Sequence, residues 1–190
     1  MILFVFASLF ALVIAGPDED TADKILSAFI KDNAGKDVPS SSFVYAYNVN
    51  LGIITTSIDV SFNDGQLNLK GFSRTGPVDN TGGLTFTAEI DAKLNYAYDF
   101  RSSVPAPFAA GKAAIDWKAP VSMKVVIDEN NRASLDSIRL LNTGTLIGDA
   151  IPYVAGRSAT LFPKQDSPFA RLLFLPMQGY LRNTFKNIAY

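Results

Sequence analysis

The apolar residues of this chain change period partway along it. From about Phe43 to Leu141 they alternate with polar residues, as in a strand with one buried face. From Ser167 to Tyr190 they recur every three or four residues, as on one face of a helix. The longest alternation is Leu84, Phe86, Ala88, Ile90, Ala92, Leu94, Tyr96, Tyr98 and Phe100, with Thr85, Thr87, Glu89, Asp91, Lys93, Asn95 and Asp99 between them. A second runs through Ile115, Trp117, Ala119, Val121, Met123, Val125 and Ile127, turns at Asp128-Glu129-Asn130-Asn131, and returns through Leu135, Ile138 and Leu140. Both outrun the usual strand of about 5–6 residues. They predict a long curved antiparallel sheet, apolar on one face and wet on the other. Ile58, Val60 and Phe62 lead into Asn63-Asp64-Gly65, which reads as a hairpin turn with Leu67 and Leu69 on the returning strand.

The C-terminal stretch predicts a long helix. Phe169, Leu172, Leu173, Pro176, Met177, Tyr180, Leu181, Phe185 and Ile188 form its apolar face, which Phe174 and Leu175 widen. Ser167 reads as its cap and Pro168 as its first residue, and Pro176 predicts a kink inside it. Thr21 to about Asp32 predicts a short N-terminal helix with Ile25, Leu26, Phe29 and Ile30 on its apolar side and Gly35 as its stop. Val38-Pro39-Ser40-Ser41-Ser42 reads as a linker. Glycines and Pro152 interrupt the apolar pattern between Asn142 and Leu161, which reads as a broken helix leading into the last one. The expected fold is α+β: a long curved antiparallel sheet wrapped around a long C-terminal helix, with a short helix at the N-terminus. Such an arrangement can hold a hydrophobic ligand.

Met1 to Ala15 is apolar and uncharged, then Gly16-Pro17-Asp18-Glu19-Asp20 turns acidic. The run falls short of the roughly 20 residues a spanning helix needs. Val13 and Ala15 suit the cleavage site of a secretory signal peptide, although no Lys or Arg precedes the apolar core. The expectation is a signal peptide over residues 1–15, a single domain over 16–190, and a secreted protein.

Composition narrows the chemistry. The chain has no histidine and no cysteine, so nucleophiles paired with His, His/Cys zinc ligation, Fe–S clusters and thiol redox chemistry are excluded. Seventeen basic against eighteen acidic residues leave no net positive field for nucleic acid. Asp128-Glu129-Asn130-Asn131 lacks the calcium-loop pattern and reads as a polar hairpin turn. No phosphate-cradling glycine motif is present. Asp91, Asp99 and Asp116 fall on the wet side of their strands rather than converging, so the expectation is a non-enzymatic protein with no cofactor and no metal. Lys164, Arg171, Arg182 and Lys186 predict a basic strip beside the last helix, either a solvated face or a contact for anionic head groups.

The order of elements, with the stretches Leu67-Asn68-Leu69-Lys70-Gly71-Phe72, Ile90 to Phe100 and Ala133 to Ile147, resembles the group 7 mite allergens. More broadly it resembles the juvenile-hormone-binding-protein-like branch of the tubular lipid-binding (TULIP) superfamily. That resemblance implies a curved sheet around a long helix with an apolar cavity between them, in a secreted arthropod protein that binds lipid-like ligands. The chain cannot form the N-terminal disulfide common among juvenile-hormone carriers, and it is shorter, which argues against the hormone itself as ligand.

The leading expectation is thus a secreted binding protein for an apolar small molecule or lipid. Phe86, Tyr96, Trp117, Met123, Phe169, Leu173, Met177 and Leu181 would line the cavity. The alternative is a secreted recognition or structural protein with a filled core, which would bind a partner, a membrane or a microbial lipid through its surface.

Overall fold

Three long strands carry the architecture. In this computed structural model, which describes residues 17–50, 55–102, 110–148 and 168–190, they are β3 (Thr55–Arg74), β4 (Leu84–Ser102) and β5 (Ala110–Ile127). Before them come α1 (Pro17–Asn33), β1 (Asp37–Ser40) and β2 (Phe43–Asn50). After them come β6 (Arg132–Leu140), β7 (Thr145–Gly148), α2 (Pro168–Thr184) and β8 (Ile188–Ala189). The strands form one antiparallel sheet in the order β1-β3-β4-β5-β6-β8. β2 also pairs with β3, and β7 with β5. The sheet curls into a half-barrel.

Alternation does what it predicted. Leu84, Phe86, Ala88, Ile90, Ala92, Leu94, Tyr96 and Tyr98 are all buried, as are Ala113, Ile115, Trp117, Ala119, Val121, Met123 and Val125. A period of two puts each set on one face, and each fully buried Val, Leu, Ile or Phe stabilises the fold by about 1.5–3 kcal/mol. The Asp128 turn is also as expected: its carboxylate accepts from the amides of Asn130 and Arg132, while Asn131 takes a positive φ of 55°.

Five expectations are corrected. Asn63-Asp64-Gly65 is not a hairpin but a bulge within β3. Asn63 faces Ala97 and Gln66 faces Asn95, so Asp64 and Gly65 together oppose Tyr96. Asp64 takes φ 50°, and a Cβ on Gly65 would strike the Tyr96 ring and Ser40. Val38-Pro39-Ser40 is strand rather than linker. Ser40 pairs with Gly65 and Phe43 with Phe62 in one unbroken register, so β1 and β2 make a single edge interrupted at Ser41-Ser42. Proline is tolerated there because an edge strand bonds on one side only.

The helix ends also move. α1 begins at Pro17, not Thr21, because a first-turn proline and three acidic residues complement the helix N-terminus. It is as long as α2, at 17 residues each. α2 stays helical through Pro176 and stops at Thr184, leaving Phe185 beyond its end and Ile188 in a strand paired with Ala133. Within the segment read as a broken helix, residues 145–148 are strand β7, and residues 149–161 lie outside the described ones. The signal-peptide reading, the connection over residues 103–109, Lys164 and the Ser167 cap lie outside them as well.

Both helices lie against the apolar face. α1 packs along β3, its first turns fastened by Asp23 to Arg74 at 2.9 Å and Asp18 to Asn80 at 3.1 Å. α2 spans from the β1/β2 edge to β6. The Gln178 side-chain amide donates to the Ile138 carbonyl at 2.9 Å, and the Leu135 amide donates to the Phe185 carbonyl at 3.0 Å. The C-terminal ends of the two helices meet, with Phe29 and Phe185 rings 4.6 Å apart and the Tyr180 hydroxyl donating to Asn33 at 3.2 Å. No helix among the described residues is long and apolar enough to cross a membrane.

Candidate functional site

The concave face of the sheet is a continuous apolar trough, and its length is set by the strands. Strands of 18 to 20 residues span roughly 60 Å at about 3.3 Å per residue. A 17-residue helix spans about 25 Å. Since the helices meet at their C-terminal ends, they reach along the trough only from the Arg74 end of β3 to the neighbourhood of Phe62, where Phe169 opens α2. The ring centroids of Phe62 and Phe169 are 5.4 Å apart. Beyond that point the inward positions are still apolar: Val60 and Ile58 on β3, Tyr98 on β4 and Ala113 on β5, all buried.

Around Phe169 the packing is aromatic. Phe43 stacks on Phe62 at 4.7 Å and meets the edge of Tyr96 at 5.3 Å, while Tyr45 meets Phe169 at 5.3 Å. Rings in edge-to-face arrangement gain about 0.5–1.5 kcal/mol beyond the area they bury. Polar tips punctuate this wall. The Tyr96 hydroxyl shares a 2.7 Å hydrogen bond with the Ser40 hydroxyl. Burial raises the Tyr96 pKa above the usual phenol value, and the Ser40 bond partly opposes this. Burial also raises that of Tyr98, whose ring lies where a side chain on Gly111 would have to go. Trp117, fully buried, donates from Nε1 to the Thr143 carbonyl at 2.6 Å.

The eight residues expected to line a cavity all fall in this interior, none more than 3% exposed. They belong to one hydrophobic cluster but not to one spot. Phe86 faces Met123 across β4 and β5 toward the helix-packed end, Trp117 sits midway opposite Ala92, and Tyr96 and Phe169 mark the aromatic end. Leu173, Met177 and Leu181 follow on successive turns of α2. Sequence reasoning left out Phe43, Tyr45, Phe62, Phe174 and Ser40. The alternation of Phe43 and Tyr45 with Val44 and Ala46 was the available signal for two of them.

Two clefts open on the described surface. One, of ≈ 340 Å³, runs between α2 and the end of β6. The other, of ≈ 500 Å³, lies beside the bulge, lined by Asp64, Gln66, Asn95, Tyr96 and Lys112 among others. Of the eight predicted residues only Tyr96 lines either.

The carboxylates stay on the outer face. Asp116 takes a hydrogen bond from Lys70, which lowers its pKa and raises that of the lysine, and Asp91 lies 3.7 Å from Lys118. Both pairs are substantially exposed, a geometry worth about 0–1 kcal/mol. Arg171, Arg182 and Lys186 are exposed along and just past α2. A scan against models of known protein families matches none of them, and a search of curated proteins finds no match.

Proposed function

We propose that this chain is a secreted, non-enzymatic binding protein that holds a lipid or other apolar small molecule between its sheet and α2. One observation carries the reading: the inward face of the sheet stays apolar past the start of α2, at Val60, Ile58 and Tyr98. That stretch is buried and apolar with phenol groups at a few points, a make-up that suits a small-molecule site. Removing apolar ligand surface from water at about 25 cal/mol per Å² supplies the driving force. The apolar Met1 to Ala15 supports export, and the resemblance to arthropod allergen-like TULIP proteins leads to the same reading.

Native mass spectrometry of the protein from its own secretory source, followed by organic extraction, tests it. The expected result is a defined adduct that leaves on extraction and is recovered as a lipid. A bare polypeptide mass that stays bare with a panel of fatty acids and terpenoids would overturn the reading. The tight burial of all eight interior residues would then favour a filled core and a surface partner.

A further inference from the structure

We infer that the outward stripe of α2, formed by Leu172, Leu175, Gly179 and Arg182, is a docking surface for an anionic lipid bilayer. It lies on the opposite side of the helix from the interior proposed to hold a ligand, so either can fail without the other.

Residues 172, 175, 179 and 182 follow the three- and four-residue spacing that places side chains on one helix face. The opposite face packs on the sheet, where Phe169, Ala170, Leu173, Met177 and Leu181 are all buried. An outward face is ordinarily polar. Here Leu175 is 59% exposed and Leu172 half-buried, and Leu141, across the cleft from Leu175, is 41% exposed. Gly179 keeps the stripe low. A Cβ there would meet nothing within 4 Å, so no contact in the fold calls for glycine, and glycine inside a helix is destabilising relative to alanine. What glycine does at this position is let an outside surface come close to the helix.

Charge decides what that surface is. From Ser167 to Tyr190 the chain has no Asp or Glu, although it is nearly neutral as a whole. Arg171 is already engaged within the protein, which leaves Arg182 and Lys186 as exposed cations without a side-chain partner among the described residues. The adjoining end of α1 adds Lys31 and Asp32, which cancel. A second copy docked on this stripe would bring one cationic face against another. An anionic bilayer suits both halves of the face at once: acyl chains take the leucines, and the charged headgroups take the cations.

Co-sedimentation of the full chain with two kinds of vesicle tests the assignment, one of phosphatidylcholine alone and one of equal parts phosphatidylcholine and phosphatidylserine. The proteins compared are wild type, Leu175→Gln, and the double variant Arg182→Gln with Lys186→Gln. All three positions are exposed, so the variants should fold, which circular dichroism would verify. Residues 1–15 are common to every protein and cancel in the comparison. The expected result is a preference for the anionic vesicles, with binding about fivefold weaker for each cation removed and about tenfold weaker for Leu175→Gln. Added salt should weaken it further. Binding to anionic vesicles that is unchanged in both variants would overturn the surface, as would no binding by wild type. Dimers in analytical ultracentrifugation that Leu175→Gln dissolves, without vesicle binding, would overturn it in favour of self-association.

Discussion

The two ends of the trough are built on different terms. At the end nearest Arg74, chain packs on chain: Phe29 of α1 lies between Phe72 of β3 and Phe185, and backbone and side-chain hydrogen bonds fasten the helices to the strands. At the end nearest Thr55, the wall is made of rings and phenols from three strands, and Phe169, in the first turn of α2, packs into it. Both ends are closely buried, but the first is held by helix-to-strand hydrogen bonds and the second by ring faces with polar tips. The same sheet thus packs against helices at one end and against aromatic rings at the other.

Several substitutions would break or sharpen that contrast. The largest effect should come from Phe29→Ala, which empties a fully buried ring position and should cost about 3–5 kcal/mol. Tyr45→Ala, at a half-buried position of the aromatic end, should cost about 1 kcal/mol. Urea unfolding of both variants compares them directly, and equal losses would erase the distinction. Gly65→Ala forces a methyl into the Tyr96 ring and Ser40 and should cost about 1–3 kcal/mol in the same assay. An unaffected midpoint would show that Tyr96 does not lie over the bulge.

Tyr96→Phe removes the Ser40 bond and should cost about 1 kcal/mol. It has a pH signature too. Burial raises the phenol pKa in the fold, so its contribution is complete below the unfolded value of about 10 and fades as pH climbs through the raised one. Wild type should therefore lose stability in strong alkali, with phenolate absorbance appearing late, and the variant should lose less over that window. Smallest of all, Lys70→Ala on the outer face should change stability by less than about 1 kcal/mol, and added salt should reduce even that.

Periodicity made β4 and β5 legible because every inward residue of both has the same fate. It failed at Asn63-Asp64-Gly65 because a tight turn and a bulge ask for the same left-handed residues. What separates them is whether the flanking segments pair with each other or with a third strand, and that is not local. The end of α2 was hidden for a related reason. Phe185 and Ile188 keep the helical spacing, yet Asn187 at φ 54° redirects the chain into β8. The interior residues were legible as an apolar set. Their spread along the trough was not, because strand register decides which of them are neighbours. The α2–β6 cleft was out of reach too, since its residues come from segments about thirty positions apart.

The pairing of β8 with β6 also fixes a sequence of events in time. β3, β4 and β5 pair between chain neighbours, which costs little loop closure, so the sheet can form early. Arg132 waits for Ala189, and Leu135 waits for Phe185. At about 5–20 residues per second of synthesis, the sheet is made seconds before the residues that finish its edge. Until the last residues emerge, α1 can cover the part of the apolar face along β3, and the part that α2 will occupy stays open. Protease pulses on ribosome-bound chains of increasing length would time its closure.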